Sequence, residues 1–182
     1  SEVLRETQLV VCLLFQYAGM SFVDFAHLKE RNIKNGILDY NRQKTGTPMR
    51  LEILDTAELM RKELMGDKRP ASGYLFPFLS GTKTGYEAYL EYNAALSRFN
   101  RNLKALKKAA GIASDVTSYT IRHSFAMALK EQNVPIEMIS ELLGHKSIKT
   151  TQIYLRSFSL EKMTVVNKSC FENVYNYMPE VG

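Results

Sequence analysis

The chain has 182 residues, 45% hydrophobic and 24% charged, a balance ordinary for a folded protein and too apolar for a disordered one. Its 24 Lys and Arg against 19 Asp and Glu give a formal charge of +5 and a sequence pI near 9.1, which favours a polyanionic partner through counterion release. Cys12 and Cys170 make no disulfide framework and no metal-ligand spacing, and the apolar run Leu9 to Phe15 is too short to span a bilayer; no metal, no cofactor, no membrane and a reducing, cytoplasmic setting are expected.

Thr7 to Tyr17 is dense in Leu, Val and Phe on every face and predicts a buried helix ending at Gly19. Ser21 stands three residues before Asp24, a capping pattern for a second helix through Phe22, Val23, Phe25, Ala26 and Leu28. Asn35-Gly36 marks a tight turn, and Ile37 to Tyr40 and Met49 to Leu54 alternate on either side of Thr45-Gly46-Thr47-Pro48. Two or three short antiparallel strands are expected there. A helix follows from Thr56 to about Met65, then a loop-rich stretch from Lys68 to Gly85 broken by Pro70, Gly73, Pro77 and Gly81. Between Tyr86 and Gly111, Tyr89, Tyr92, Leu96, Phe99, Leu103 and Leu106 recur at intervals of three and four, the mark of a long amphipathic helix. Arg98, Arg101, Lys104, Lys107 and Lys108 crowd its second half; singly they read as a solvated face, together as positive potential. Further helices are predicted at Ser118 to Asn133, at Ile136 to Leu143 capped by Gly144, and at Ile148 to Leu155. An amphipathic C-terminal segment, Leu160 to Tyr177, closes the chain. The class expected is mixed α/β, predominantly helical with a small antiparallel sheet. With no repeat and no linker, residues 1–182 read as one domain, and the start on Ser1, almost at once in helix, reads as a piece of a longer polypeptide.

The chemistry concentrates between Tyr119 and Tyr154. Tyr119-Thr120-Ile121-Arg122-His123, Leu142-Leu143-Gly144-His145 and Thr150-Thr151-Gln152-Ile153-Tyr154 follow one another, the last tyrosine nine residues past His145. Breaking a phosphodiester without a metal needs a nucleophile, donors for the non-bridging oxygens and an acid for the leaving oxygen. Tyr154 suits the first role as a covalent nucleophile. Arg122 presents a planar fork for two phosphate oxygens, and His145 adds a donor where charge develops. Lys44, on the hairpin Tyr40-Asn41-Arg42-Gln43-Lys44-Thr45-Gly46, is placed to protonate the leaving oxygen. Each has a plainer reading alone: a packing tyrosine, an ion-paired arginine, a helix-end histidine, a solvated lysine.

Their joint order is similar to that of the tyrosine recombinase, or phage integrase, family. Gly19-Met20-Ser21-Phe22-Val23-Asp24, Arg42-Gln43-Lys44-Thr45-Gly46, Thr117-Ser118-Tyr119 through Ala126, and Leu143-Gly144-His145 through Tyr154 resemble integrases of Bacteroides-type mobile elements over nearly the whole chain. The resemblance implies the catalytic domain of DNA breaking-rejoining enzymes, cutting double-stranded DNA through a 3′-phosphotyrosyl intermediate in a tetrameric synapse, with a monomer possible for the isolated domain. It also implies a nucleoid-associated bacterial setting, a separate N-terminal core-binding domain absent from this chain, and a C-terminal tail of about 160–182 that packs in cis or exchanges in trans. Two positions depart from the family pattern: Ser21 stands where most members carry an arginine, and Tyr119 where most carry a histidine. Ser21 supplies no charge, and Arg42 or a residue of the absent domain is the candidate to compensate. Lys146, Lys149, Thr150 and, more weakly, Arg101 are expected to meet backbone phosphates, as is Arg42. Two other classes stay open at this stage. One is a DNA-binding regulator, since Phe125 to Leu155 also reads as helix, turn, helix; the other is an architectural relative that has lost catalysis.

Overall fold

The computed structural model describes residues 1–68, 73–155, 163–165 and 167–168. Helices α1 (Glu2–Gln16) and α2 (Phe22–Ala26) lead, through a 3₁₀ turn at Glu30–Asn32, into strands β1 (Ile33–Lys34), β2 (Ile37–Asn41) and β3 (Pro48–Glu52). Helices α3 (Asp55–Met65), α4 (Gly85–Ala109), α5 (Ser118–Glu131), α6 (Ile136–Leu142) and α7 (Ile148–Tyr154) follow. The strands form one antiparallel sheet in the order β1-β2-β3, with Leu38 opposite Leu51 and Tyr40 opposite Met49. That register puts Leu38, Tyr40 and Met49 on the buried face and leaves Asp39 and Asn41 exposed, the period-two alternation of a sheet covered on one side.

The core gathers around α1, which packs on α3, α4 and α5. Leu9, Val10, Leu13 and Leu14 are buried, whereas Phe15 is 38% exposed, so the helix begins earlier than its apolar run suggested and is not covered on every face. Aromatic stacking fixes α2 in place: Phe22 lies on Phe99 of α4 with centroids 4.6 Å apart, and Phe25 lies on Phe76 at 4.1 Å. Such pairs add to the roughly 1.5–3 kcal/mol of burying each ring. On α4 the stripe holds from Tyr92 onward, but Tyr89 is 58% exposed, because the first turns of this long helix project past the elements it packs against.

A smaller cluster joins the last helices: Ala126 of α5, Ile139 of α6 and the C-cap Leu143, with Phe125, Leu129, Val134 and Leu155 against them. Phe125 meets Phe15 edge-on at 5.2 Å and ties this unit to α1. The approach is close enough that a Cβ on Gly19 would lie 2.9 Å from the Phe125 ring, so the turn after α1 needs its glycine. Of the C-terminal segment Leu160 to Tyr177, only residues 163–165 and 167–168 are described, and they are helical; Cys170 and the rest lie outside the described residues. No described helix is long and apolar enough to cross a membrane.

Candidate active site

Arg122 sits one turn into α5, where the start of the helix is fixed from both sides. Thr117 and Thr120 exchange hydrogen bonds as a capping box, and the Ser118 amide donates to Asn100 Oδ1 of α4 at 2.9 Å. The Arg122 side chain is only 4% exposed. Its Nη1 donates to the Gly19 carbonyl at 2.9 Å and its Nη2 to the Leu143 carbonyl, so one guanidinium joins the end of α1, the body of α5 and the turn after α6. Burying a charge is costly, and apolar packing would have served stability as well.

Arg42 approaches the same turn from the β2–β3 hairpin. It is 8% exposed rather than displayed to solvent, with Nη1 donating to the Gly144 carbonyl at 3.0 Å and Nε facing Asp24 Oδ2 at 3.5 Å. Asp24 is 2% exposed and accepts three bonds: from Arg42, from the Gln43 amide at 2.7 Å and from the Ser21 hydroxyl at 2.6 Å. The sequence offers Asp24 either as a helix cap or as a carboxylate orienting a basic neighbour, with the cap favoured; it does both, anchoring Arg42 and the base of the hairpin eighteen residues away. Ser21 caps α2 as expected, accepting from the Asp24 amide at 3.4 Å, while its hydroxyl proton is given to Asp24.

The two guanidiniums thus grip consecutive carbonyls, Leu143 and Gly144, immediately before His145. Gly144 turns the chain with φ 61°, and its amide donates to Glu141 while the His145 amide donates to Ser140 at 3.0 Å. His145 Nδ1 lies 2.8 Å from the Thr151 hydroxyl. Burial above all, then the charges of Arg122 and Arg42, push the His145 pKa down to about 4, so the imidazole is neutral at neutral pH. The unfolded chain takes up this proton near 6.5 and the folded chain near 4. Stability is therefore full above pH 6.5 and is lost as pH falls through the window down to 4. Urea midpoints measured across that window should fall more steeply for the native sequence than for His145→Asn; equal slopes would show that the residue does not titrate as described.

The remaining predicted groups surround this centre. Lys44 is exposed on the β2–β3 hairpin and makes no hydrogen bond or ion pair among the described residues. Tyr119 is 59% exposed on the first turn of α5, one turn before Arg122. Lys146, Lys149 and Thr150 are exposed between His145 and the first turn of α7, and Arg101 is exposed on α4. Tyr154 is the last residue of α7, and its side chain lies outside the described set. Burial sets several other tyrosines apart from a nucleophile's role: it pushes the pKa of Tyr17 up to about 12, and that of Tyr40, beside Asp24, well above the ordinary value. Thr151, wholly buried against His145, was missed; nothing in a Thr-Thr pair separates its buried member from the exposed Thr150.

Comparison with known proteins bears on this arrangement. The sequence profile described as Phage integrase family matches residues 4–161. The tyrosine recombinase XerD of Lacticaseibacillus casei is 44% identical over 69 residues, 38% of this chain and 24% of that protein. The tyrosine recombinase XerC of Rickettsia canadensis (strain McKiel) is 41% identical over 73 residues, 40% and 24% respectively. The matches span about a quarter of these relatives' length. Among solved structures, the Tn1549 transposon integrase in complex with a circular intermediate DNA superposes with a TM-score of 0.64 at 14% identity, covering 88% of this chain and 57% of that one. XerH bound to its palindromic difH substrate in a post-cleavage complex gives 0.63 at 20%, covering 90% and 45%, and XerA recombinase 0.53 at 19%, covering 97% and 62%. At such identities the likeness is one of fold.

Proposed function

The chain belongs to the phage integrase family, and from that premise we propose that it is the catalytic part of a site-specific DNA recombinase. In this reading the Tyr154 oxygen attacks a DNA phosphorus, the bond from phosphorus to the 5′ oxygen breaks, and a 3′-phosphotyrosyl link forms in its place. The tyrosine's hydroxyl proton passes to solvent, and Lys44 delivers one to the departing 5′ oxygen. Bond energy is kept in the phosphotyrosine, so a 5′ hydroxyl reseals the strand by the reverse step. Arg122 and Arg42 hold the non-bridging oxygens, and His145, neutral, donates its single N–H to the charge that develops there.

The observation that carries this reading is the convergence of Arg122 and Arg42, from segments eighty residues apart, on the two carbonyls preceding His145. Arg42 is the cation that answers the missing charge at Ser21: it enters the same turn, and Asp24 fixes its orientation. Lys146, Lys149 and Thr150, exposed beside that turn, and Arg101 on α4 are read as contacts to backbone phosphates of double-stranded DNA. Residues 1–182 then act as one catalytic domain, pairing in a tetrameric synapse and working with a separate domain that clamps the duplex.

The test is covalent trapping. The protein, with Tyr154→Phe as control, is incubated with a nicked suicide duplex from its own attachment site, and a denaturant-resistant, protease-sensitive adduct is sought. An adduct dependent on Tyr154 is expected. Its absence with native protein on its own site would leave the architectural reading, in which Ser21 and Tyr119 mark a relative that binds DNA without cutting it.

A further inference from the structure

We propose that Thr151 is a positioning residue for His145: its hydroxyl donates to Nδ1, holds the imidazole proton on Nε2, and couples the helix that bears Tyr154 to the donor that faces the phosphate. Three observations carry this. Thr151 is 0% exposed, although it stands in the first turns of a short helix whose neighbouring residues Lys149 and Thr150 face solvent. Its Oγ1 lies 2.8 Å from His145 Nδ1, and among the described residues this is the one hydrogen bond the hydroxyl makes. It stands three residues before Tyr154 on the same short helix, α7.

The direction of the bond follows from counting donors. A threonine in a helix commonly returns its proton to the carbonyl four residues back, here that of Ser147, but Thr151 makes no such bond. Were Nδ1 the donor, the hydroxyl proton would be buried without an acceptor, the costly arrangement. The hydroxyl must therefore be the donor and Nδ1 the acceptor. His145 is held neutral by burial and by the two arginines, so it carries one ring proton, and that proton is on Nε2. Ring orientation and proton position are set together, and both depend on α7 being docked. When α7 leaves its seat, His145 loses its partner along with the nucleophile's support, so donor and nucleophile are assembled or dismantled as a unit.

The catalytic half of this inference rests on the recombinase reading; the proton's position does not. Nitrogen NMR of the native protein labelled at histidine reports directly which ring nitrogen is protonated at neutral pH. A protonated Nε2 with a hydrogen-bonded, unprotonated Nδ1 is expected at His145, and a protonated Nδ1 would overturn the proposal whatever the enzyme does. The second measurement is the rate of adduct formation. Thr151→Val, which keeps the volume and removes the hydroxyl, should slow it by on the order of 10–100-fold, and Thr151→Ser should recover most of the loss. In a His145→Ala background Thr151→Val should add no further loss, since its route of action is gone. An equal loss in both backgrounds would reduce Thr151 to a packing residue and sink the coupling. Failure of the native protein to form any adduct would count against the recombinase reading, while the NMR result would still decide the tautomer.

Discussion

Replacing Arg42 by alanine should lower the rate of covalent adduct formation by about 10²–10³-fold and destabilise the fold by about 3–5 kcal/mol. The two losses have separate causes. Stability falls because Asp24, 2% exposed, keeps the Ser21 hydroxyl and the Gln43 amide but loses its only cationic partner among the described residues. Cleavage falls because one of the two guanidiniums at the Leu143–Gly144 turn is gone, and losing a single preorganised donor typically costs ~3 kcal/mol of barrier. A double variant separates them. Arg42→Ala with Asp24→Asn removes the pair together, which in buried ion pairs restores much of the stability lost by breaking one side. Urea unfolding should then recover while adduct formation stays low. If cleavage returned along with stability, Arg42 would be a structural arginine and the charge missing at Ser21 would have to come from elsewhere. Arg42→Lys is expected to fold better than Arg42→Ala but to cleave poorly, since a point charge does not reach Asp24 and the Gly144 carbonyl at once.

Gly144→Ala should cost about 2–4 kcal/mol of stability and most of the cleavage activity, although the substitution adds one methyl group. The backbone there has φ 61°, and an L-residue in that region is strained by roughly 1–2 kcal/mol. The remainder is overpacking: a Cβ at this position would lie 2.4 Å from Met49 Sδ and 2.7 Å from Arg42 Cδ. The displaced atoms matter more than the energy, because Arg42 Cδ carries the guanidinium and residue 144 directly precedes His145. Gly111→Ala is the control, with φ 68° and nothing within 4 Å of its new Cβ, so it should lose the strain alone. Calorimetry or urea titration of the two variants gives the packing share by difference. Equal losses would mean that the turn relaxes away from Met49 and Arg42 at no cost, and that its fit to them is not specific.

The sequence read alone determined the class of the protein and most of its elements, because those depend on local rules. Helix periodicity, the Ser21 cap, the Asn35-Gly36 turn and the alternation of β2 and β3 are each written within a few residues, and α2 through α7 begin or end close to where those signals lie. Arg122, His145, Lys44 and Tyr154 are candidates for a related reason: their chemistry and their order along the chain suffice to propose them. What only the tertiary structure decided is which groups meet across distance. That Asp24 anchors Arg42 and that Arg42 reaches residue 144 depends on how the hairpin packs against the turn after α6, a contact over 102 positions that no local pattern encodes. Tyr89 is exposed and Thr151 buried for a related reason: a helix's own sequence defines its faces, but what packs against it decides where a face is covered. The pKa of His145 is likewise a property of assembly. Its ordinary value belongs to the residue, whereas the shift to about 4 belongs to the burial and the two arginines that the fold brings against it.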